Sequence, residues 1–144
     1  VRGSSVGERC VIGYNTEIAR SILADDVWTH SSYVGDSILA SHVSLAAGTV
    51  TGNLRLDEEP ISSIVKWEKI PTQRQKLGTI IGEYCRTGIQ TCLLPGVKIG
   101  QHSFISSGEI VSGDIPDSSF LKGGVLRENR MVREGNRSLL RKKL

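Results

Sequence analysis

Residues 81–110, divided into sixes, read IGEYCR TGIQTC LLPGVK IGQHSF ISSGEI. Each block opens on Ile81, Thr87, Leu93, Ile99 or Ile105, and a small residue follows everywhere except at Leu94. The same alignment runs upstream. Blocks begin at Val6, Ile12, Ile18, Leu23, Thr29, Leu39 and Leu45, aliphatic except for Thr29, and the following residue is Gly or Ala except at His30. Fifth positions are mostly Cys, Thr, Val, Ile or Ser. Self-similarity at a fixed short period is the mark of stacked, repetitive architectures.

The physics of such a repeat is that of a parallel β-helix. Each block supplies one short strand and one corner. The opening residue points inward, and the small residue after it lets the backbone turn tightly. Three blocks close a coil, and coils stack at strand spacing, so twelve blocks predict about four coils and a prism ~20 Å tall. A prism this thin exposes flat faces and must cap or pair its ends. The scarcity of aromatics beside abundant Gly, Ile, Val and Leu agrees with thin repeated layers.

The 144 residues suffice for one domain with a modest core. No apolar run approaches the roughly eighteen residues of a membrane helix, and no signal-peptide pattern opens the chain. Val1 already falls within the repeat, which fits a piece of a longer protein. Three cysteines with no CxxC offer neither a disulfide framework nor zinc spacing. Cys10 and Cys85 occupy small inward positions, as free thiols of a cytoplasmic protein would. The net charge of +3 is uneven, since the chain from Leu121 onward carries eight Lys/Arg against two Glu. No aromatic interleaving or nucleic-acid motif accompanies that basic tail.

The repeat occupies residues 1–120 and is interrupted between residues 51 and 78 by a long segment containing Trp67 and two prolines. A non-repeating insertion in a solenoid is usually functional. Residues 121–144 are expected to form a basic tail, helical from Val125 and broken at Gly135.

One block breaks the pattern hard. From Thr29 the chain reads THSSYVGDSILASHVSLAAGTVTGNLR, with threonine in the inward position, His30 where a small residue belongs and Tyr33 at the fifth place. This stretch resembles the acetyltransferase half of bifunctional N-acetylglucosamine-1-phosphate uridylyltransferases, hexapeptide-repeat proteins that carry an HxxYxGD block followed by GAGTxTxN. His30, Tyr33, Gly35 and Asp36 match the first block; Gly48, Thr49, Thr51 and Asn53 match the second, with Ala46 in place of a glycine. The stretches TGI at Thr87–Ile89 and LPGVKIG at Leu94–Gly100 resemble those of archaeal members. The resemblance implies an all-β, left-handed coil, a hand opposite to the general rule for parallel crossovers.

It also implies roles. His30 matches the general base that deprotonates the sugar amine, a task suited to an imidazole. Tyr33 and Asn53 match residues holding the amino-sugar 1-phosphate, and Ser44 stands where bacterial members have an asparagine. Ala47, Ile89 and Ser107 match the acetyl-CoA groove, with the backbone N–H at Ile89 placed to polarise a carbonyl. The family further implies a homotrimer with sites between subunits, an upstream nucleotidyltransferase domain and a C-terminal arginine near coenzyme phosphates. Relatives carry a lysine six residues beyond the matched asparagine; here stands Glu59, which would weaken phosphate binding. Two other readings stay open. A repeat domain of a sugar-1-phosphate nucleotidyltransferase can serve only assembly or regulation. A γ-class carbonic anhydrase would need three histidines on one zinc, but His30 and His42 lie two blocks apart, on different faces.

Overall fold

The computed structural model describes residues 1–132, and they fold as a three-faced parallel coil. The first face stacks strands Ser5–Val6, Ile22–Leu23, Ile38–Leu39, Ile80–Ile81 and Lys98–Ile99. The second stacks Val11–Ile12, Trp28–Thr29, Ser44–Leu45, Arg86–Thr87, Phe104–Ile105 and Ser119–Lys122. The third stacks Glu17–Ala19, Tyr33–Gly35, Val50–Thr51, Cys92–Leu93 and Ile110–Val111. All these neighbours pair in parallel, and equivalent block positions sit in register, as in Leu23, Leu39, Ile81 and Ile99.

Five complete coils result, one more than twelve blocks predict, because Val34, Thr51 and Val111 also open rungs. All three point inward and are buried. The rungs from Ile18, Thr29 and Val34 are five residues long, which hides them from a strict count of six. The inward column is the core: Ile18, Leu23, Val34, Leu39, Leu45, Ile81 and Leu93 are all within 1 % of complete burial. Each such side chain removed from water contributes about 1.5–3 kcal/mol. Inward threonines are satisfied: Thr49 and Thr87 share a hydroxyl–hydroxyl bond of 2.8 Å, and Thr51 Oγ1 accepts the Gly35 N–H at 2.9 Å.

The corners turn through the left-handed backbone region at the fourth block position, at Arg9, Asn15, Asp26, His42, Tyr84, Gln90 and His102 among others. In the five-residue rungs the turn moves to the third position, at Arg20, Ser31 and Asp36. Two local features differ from the sequence expectation or extend it.

The insertion is an arm rather than a loose loop. Ile61–Val65 pairs antiparallel with Glu68–Arg74, through a turn in which Lys66 and Trp67 have φ of 48° and 72°. Such a two-residue turn matches strand twist even without its usual glycine. At the base, Leu54 bridges Lys76, and the Leu77 N–H donates to the Asn53 carbonyl at 3.0 Å.

The start of the tail is a strand, not a helix. Val125–Glu128 returns antiparallel along Ser119–Lys122 through Gly123 and Gly124, whose N–H groups both donate to the Glu109 carboxylate. Two glycines at positive φ make the reversal that a continuing helix would forbid. A short 3₁₀ turn, Arg130–Val132, follows; the remaining tail, residues 133–144, lies outside the described residues.

Candidate active site

The third face carries a polar network built by the HxxYxGD stretch. Tyr33 opens its strand pointing outward, and its ring lies back across Gly35. A Cβ at position 35 would sit 2.5 Å from Tyr33 Oη and 2.8 Å from Cε1 and Cζ. The glycine of the motif is therefore the bed on which the tyrosine lies. That pose carries the phenol toward the corner, where its oxygen accepts a hydrogen bond from Asn53 Nδ2 at 3.2 Å. The same amide donates to Asp36 Oδ2 at 2.5 Å. Arg20, one coil below, grips Asp36 through two parallel bonds of 2.7 Å, the geometry that gives guanidinium–carboxylate pairs their directionality.

This arrangement sets the charge. The Asp36 carboxyl is held below the usual carboxylate range, chiefly by the Arg20 hydrogen bonds. Partial burial opposes the effect, while the Asn53 bond and the charges of Arg20 and Lys76 reinforce it. Arg20 is correspondingly raised, first by its hydrogen bond to Asp36. Asp36 is thus a carboxylate at neutral pH and is spent on Arg20 and Asn53. The charge of Lys76 bears on Asp36 because the chain leaving the arm returns beside Asn53. Sequence reading missed both Arg20 and Lys76. For Lys76 the signal was its place two residues before Gly78, where the coil resumes.

His30 stands at the corner between second and third faces, three residues before Tyr33, and its side chain is exposed. Its carbonyl accepts the Ser32 hydroxyl at 2.9 Å, which braces the five-residue rung. The imidazole makes no hydrogen bond among the described residues. Above it, Ala47, Ile89 and Ser107 line the same corner at successive coils, and all three are exposed. Their neighbours Gly48, Gln90 and Gly108 turn the chain at positive φ, with Gln90 N–H bonded to Ala47 carbonyl and Gly108 N–H to Ile89 carbonyl. Among the described residues, the N–H groups of Ala47, Ile89 and Ser107 themselves donate no hydrogen bond. The corner is therefore a column of available donors beginning beside an exposed imidazole. An extended acyl chain with amide and thioester carbonyls fits such a column.

Other expected positions fall elsewhere. Ser44 lies on the second face between Trp28 and Arg86, with no contact to the Tyr33–Asn53 group among the described hydrogen bonds. Glu59 is exposed in the loop before the arm, where its N–H donates to Asp57 and its charge bears on Arg55. Arg55 itself clasps Asp57 through two bonds. His42 and His102 stack on either side of Tyr84, at centroid distances of 4.5 and 5.1 Å, on the corner between first and second faces. His30 lies on a different corner. Among the described residues no three His, Cys, Asp or Glu are placed to hold a metal ion.

No family model matches the chain. Its sequence is 41% identical over 116 residues to a bifunctional sugar-1-phosphate nucleotidylyltransferase/acetyltransferase of Sulfurisphaera tokodaii, covering 80% of this chain and 29% of that protein. It is 41% identical over 115 residues to the bifunctional protein GlmU of Methanococcus vannielii, covering 79% of this chain and 28% of that protein. The chain thus spans under a third of the length of these relatives. Among solved structures, the acetyltransferase domain of PglB from Neisseria gonorrhoeae, in complex with acetyl coenzyme A, superposes with a TM-score of 0.66 at 21% identity. That match covers 89% of this chain and 52% of the other. The fold is therefore the left-handed parallel β-helix of hexapeptide-repeat acetyltransferase domains. Within that class the homologues of this chain are GlmU-type bifunctional nucleotidyltransferase/acetyltransferases, about four fifths of its length aligning with them at 41% identity.

Proposed function

We propose that this domain transfers the acetyl group of acetyl-CoA to the amine of an amino-sugar 1-phosphate. The observation that carries the reading is the exposed, unbonded imidazole of His30, set between the donor column and the Tyr33–Asn53–Asp36 network. The column from Ala47 through Ile89 to Ser107 would hold the pantetheine arm and thioester; the network would hold the sugar. The amine nitrogen attacks the thioester carbonyl carbon, and His30 takes the proton the nitrogen must lose. The oxyanion that forms is stabilised by a corner N–H, Ile89 being the favoured one, since a fixed donor needs no reorganisation. The C–S bond then breaks, and the imidazolium returns its proton to the departing coenzyme A thiolate. Lys76, exposed and near Asn53, is the cation suited to the sugar phosphate. It would supply the positive charge that Glu59 does not.

The assembly that completes such sites is proposed to be a homotrimer. Ile22, Ile38 and Ile80 form an exposed row in register on the first face, and Val50 and Ile110 are exposed on the third. Apolar rows of this kind mark contact surfaces. The bifunctional character of the relatives supports a nucleotidyltransferase partner domain in the complete protein. The deciding experiment is thiol release from acetyl-CoA with glucosamine 1-phosphate and galactosamine 1-phosphate, beside the corresponding sugars without phosphate. Turnover restricted to the phosphorylated amino sugars is expected. Turnover absent with every acceptor would favour a purely assembling domain.

A further inference from the structure

The stretch LPGVKIG, residues 94–100, has no part in the chemistry above, yet it contacts the arm at two points. Gly96 turns the third-to-first corner at φ +78°, and a Cβ there would lie 2.6 Å from Ile61 Cγ2. Ile61, the first residue of the arm's hairpin, is 2 % exposed. The arm is thus rooted in a socket that only a residue without a side chain leaves open. Two residues on, Lys98 points outward from the first face. Its ammonium donates to Ser63 Oγ at 3.0 Å and to the Ile64 carbonyl, both on the arm, and pairs with Asp114 Oδ2 at 3.0 Å. The Lys98 N–H also donates to Asp114 Oδ1 at 2.8 Å, so the carboxylate fixes both ends of the lysine. All three ammonium donors have acceptors, two of them on the arm.

The far end of the same arm borders the acceptor network. The Leu77 N–H donates to the Asn53 carbonyl at 3.0 Å, and the Gly78 N–H to the Asp36 carbonyl at 2.8 Å. Lys76 is paired with Leu54 across the base. Most of the hairpin from Ile64 to Arg74 is exposed. We propose that Lys98, seated by Asp114 and assisted by the Gly96 socket, is a positioning residue. It latches the arm to the first face and so fixes Asn53 and Lys76 for recognition of the acceptor's phosphate. The inference rests on the reading of the acceptor given above, but the latch itself is a property of the fold. It gives the glycine and lysine of the LPGVKIG stretch a task. It also separates two kinds of residue near the site, those that touch the sugar and one that sets where they stand.

The test uses Lys98→Met, which keeps the aliphatic stem and removes the ammonium, with Lys98→Arg as the conservative variant. Ser63→Ala, altered on the arm alone, serves if Lys98→Met does not fold. Three readouts are taken on the whole chain. Trypsin cleavage at Lys66, Lys69 and Arg74 should quicken about fivefold or more in Lys98→Met, since cleavage tracks the population of the released arm. Hydrogen exchange at the Leu77 and Gly78 amides should rise with it. The Michaelis constant for glucosamine 1-phosphate should increase about fivefold or more, with that for acetyl-CoA within about twofold. Lys98→Arg should restore all three. Unchanged cleavage would overturn the latch. Faster cleavage with unchanged exchange at residues 77 and 78 would overturn its coupling to the acceptor network, whether or not the chain shows turnover. Equal rises in both Michaelis constants would reduce Lys98 to general stability. Lack of turnover in the unaltered chain would instead refute the function proposed above, while cleavage and exchange still decide the latch.

Discussion

Gly35→Ala adds one methyl group where the Tyr33 ring rests. The ideal Cβ lies 2.5 Å from Tyr33 Oη and 2.8 Å from two ring carbons, so the ring must lift by about 1 Å to regain ordinary contact distance. The phenol oxygen starts 3.2 Å from Asn53 Nδ2, and this displacement takes it beyond hydrogen-bond range. A neutral hydrogen bond of this kind is worth about 0.5–1.5 kcal/mol net, which corresponds to roughly 2- to 12-fold in an equilibrium constant. The backbone at Gly35 is not in the left-handed region, and the displaced atoms are the far end of a side chain. Stability should therefore fall by less than about 1 kcal/mol. Steady-state kinetics at saturating acetyl-CoA, with the amino-sugar 1-phosphate varied, should show the acceptor Michaelis constant rising within that range and the acetyl-CoA constant unchanged. An unaltered acceptor constant, or equal rises in both, would refute the argument that the glycine exists to seat the tyrosine.

Lys76→Ala should raise the acceptor Michaelis constant more at low salt than at high, because an exposed cation acts through a screened field. Glu59→Lys should leave that constant within about twofold, since Glu59 sits with Arg55 and Asp57 rather than at the network. The Asp36 pKa is lowered on folding, so its contribution to stability is present above the unfolded value near pH 3.9 and is lost as pH falls through the folded value. Melting temperatures between pH 3 and 6 should accordingly drop on acidification, less steeply in Asp36→Asn; parallel curves would contradict this. Burial pushes the Cys85 thiol up to about 11. A thiol reagent at pH 8 should therefore modify exposed Cys92 at once and Cys85 only on unfolding.

The coil was legible in the sequence because its core depends on one residue type at one spacing. Ile81, Leu93, Ile99 and Ile105 announce themselves. Val34 does not, since the rungs on either side of Tyr33 are shortened by one residue and their corner moves to the third position. The shortening is itself tied to the site: it places His30 and Asp36 at consecutive corners, with Tyr33 on the short strand between them. The arm was not legible, because its reversal at Lys66 and Trp67 uses neither glycine nor asparagine and owes its shape to pairing along its length. Counting forward from Asn53 pointed to Glu59, across a segment whose path is set by the bridge of Leu54 to Lys76. Lys76 stands two residues before Gly78, on the far side of that segment. At the end of the coil, Gly123 and Gly124 carried the signal of a tight hairpin, and the basic periodicity beyond them drew the reading toward a helix.

The central claim is that His30 is the proton acceptor of an acetyl transfer, placed at a corner where the repeat prefers a small residue. His30→Ala restores that preference, so it separates chemistry from folding. Turnover of acetyl-CoA and glucosamine 1-phosphate should fall about 10²- to 10⁴-fold. The melting temperature and both Michaelis constants should stay close to those of the unaltered chain. Turnover at the original rate would contradict the account.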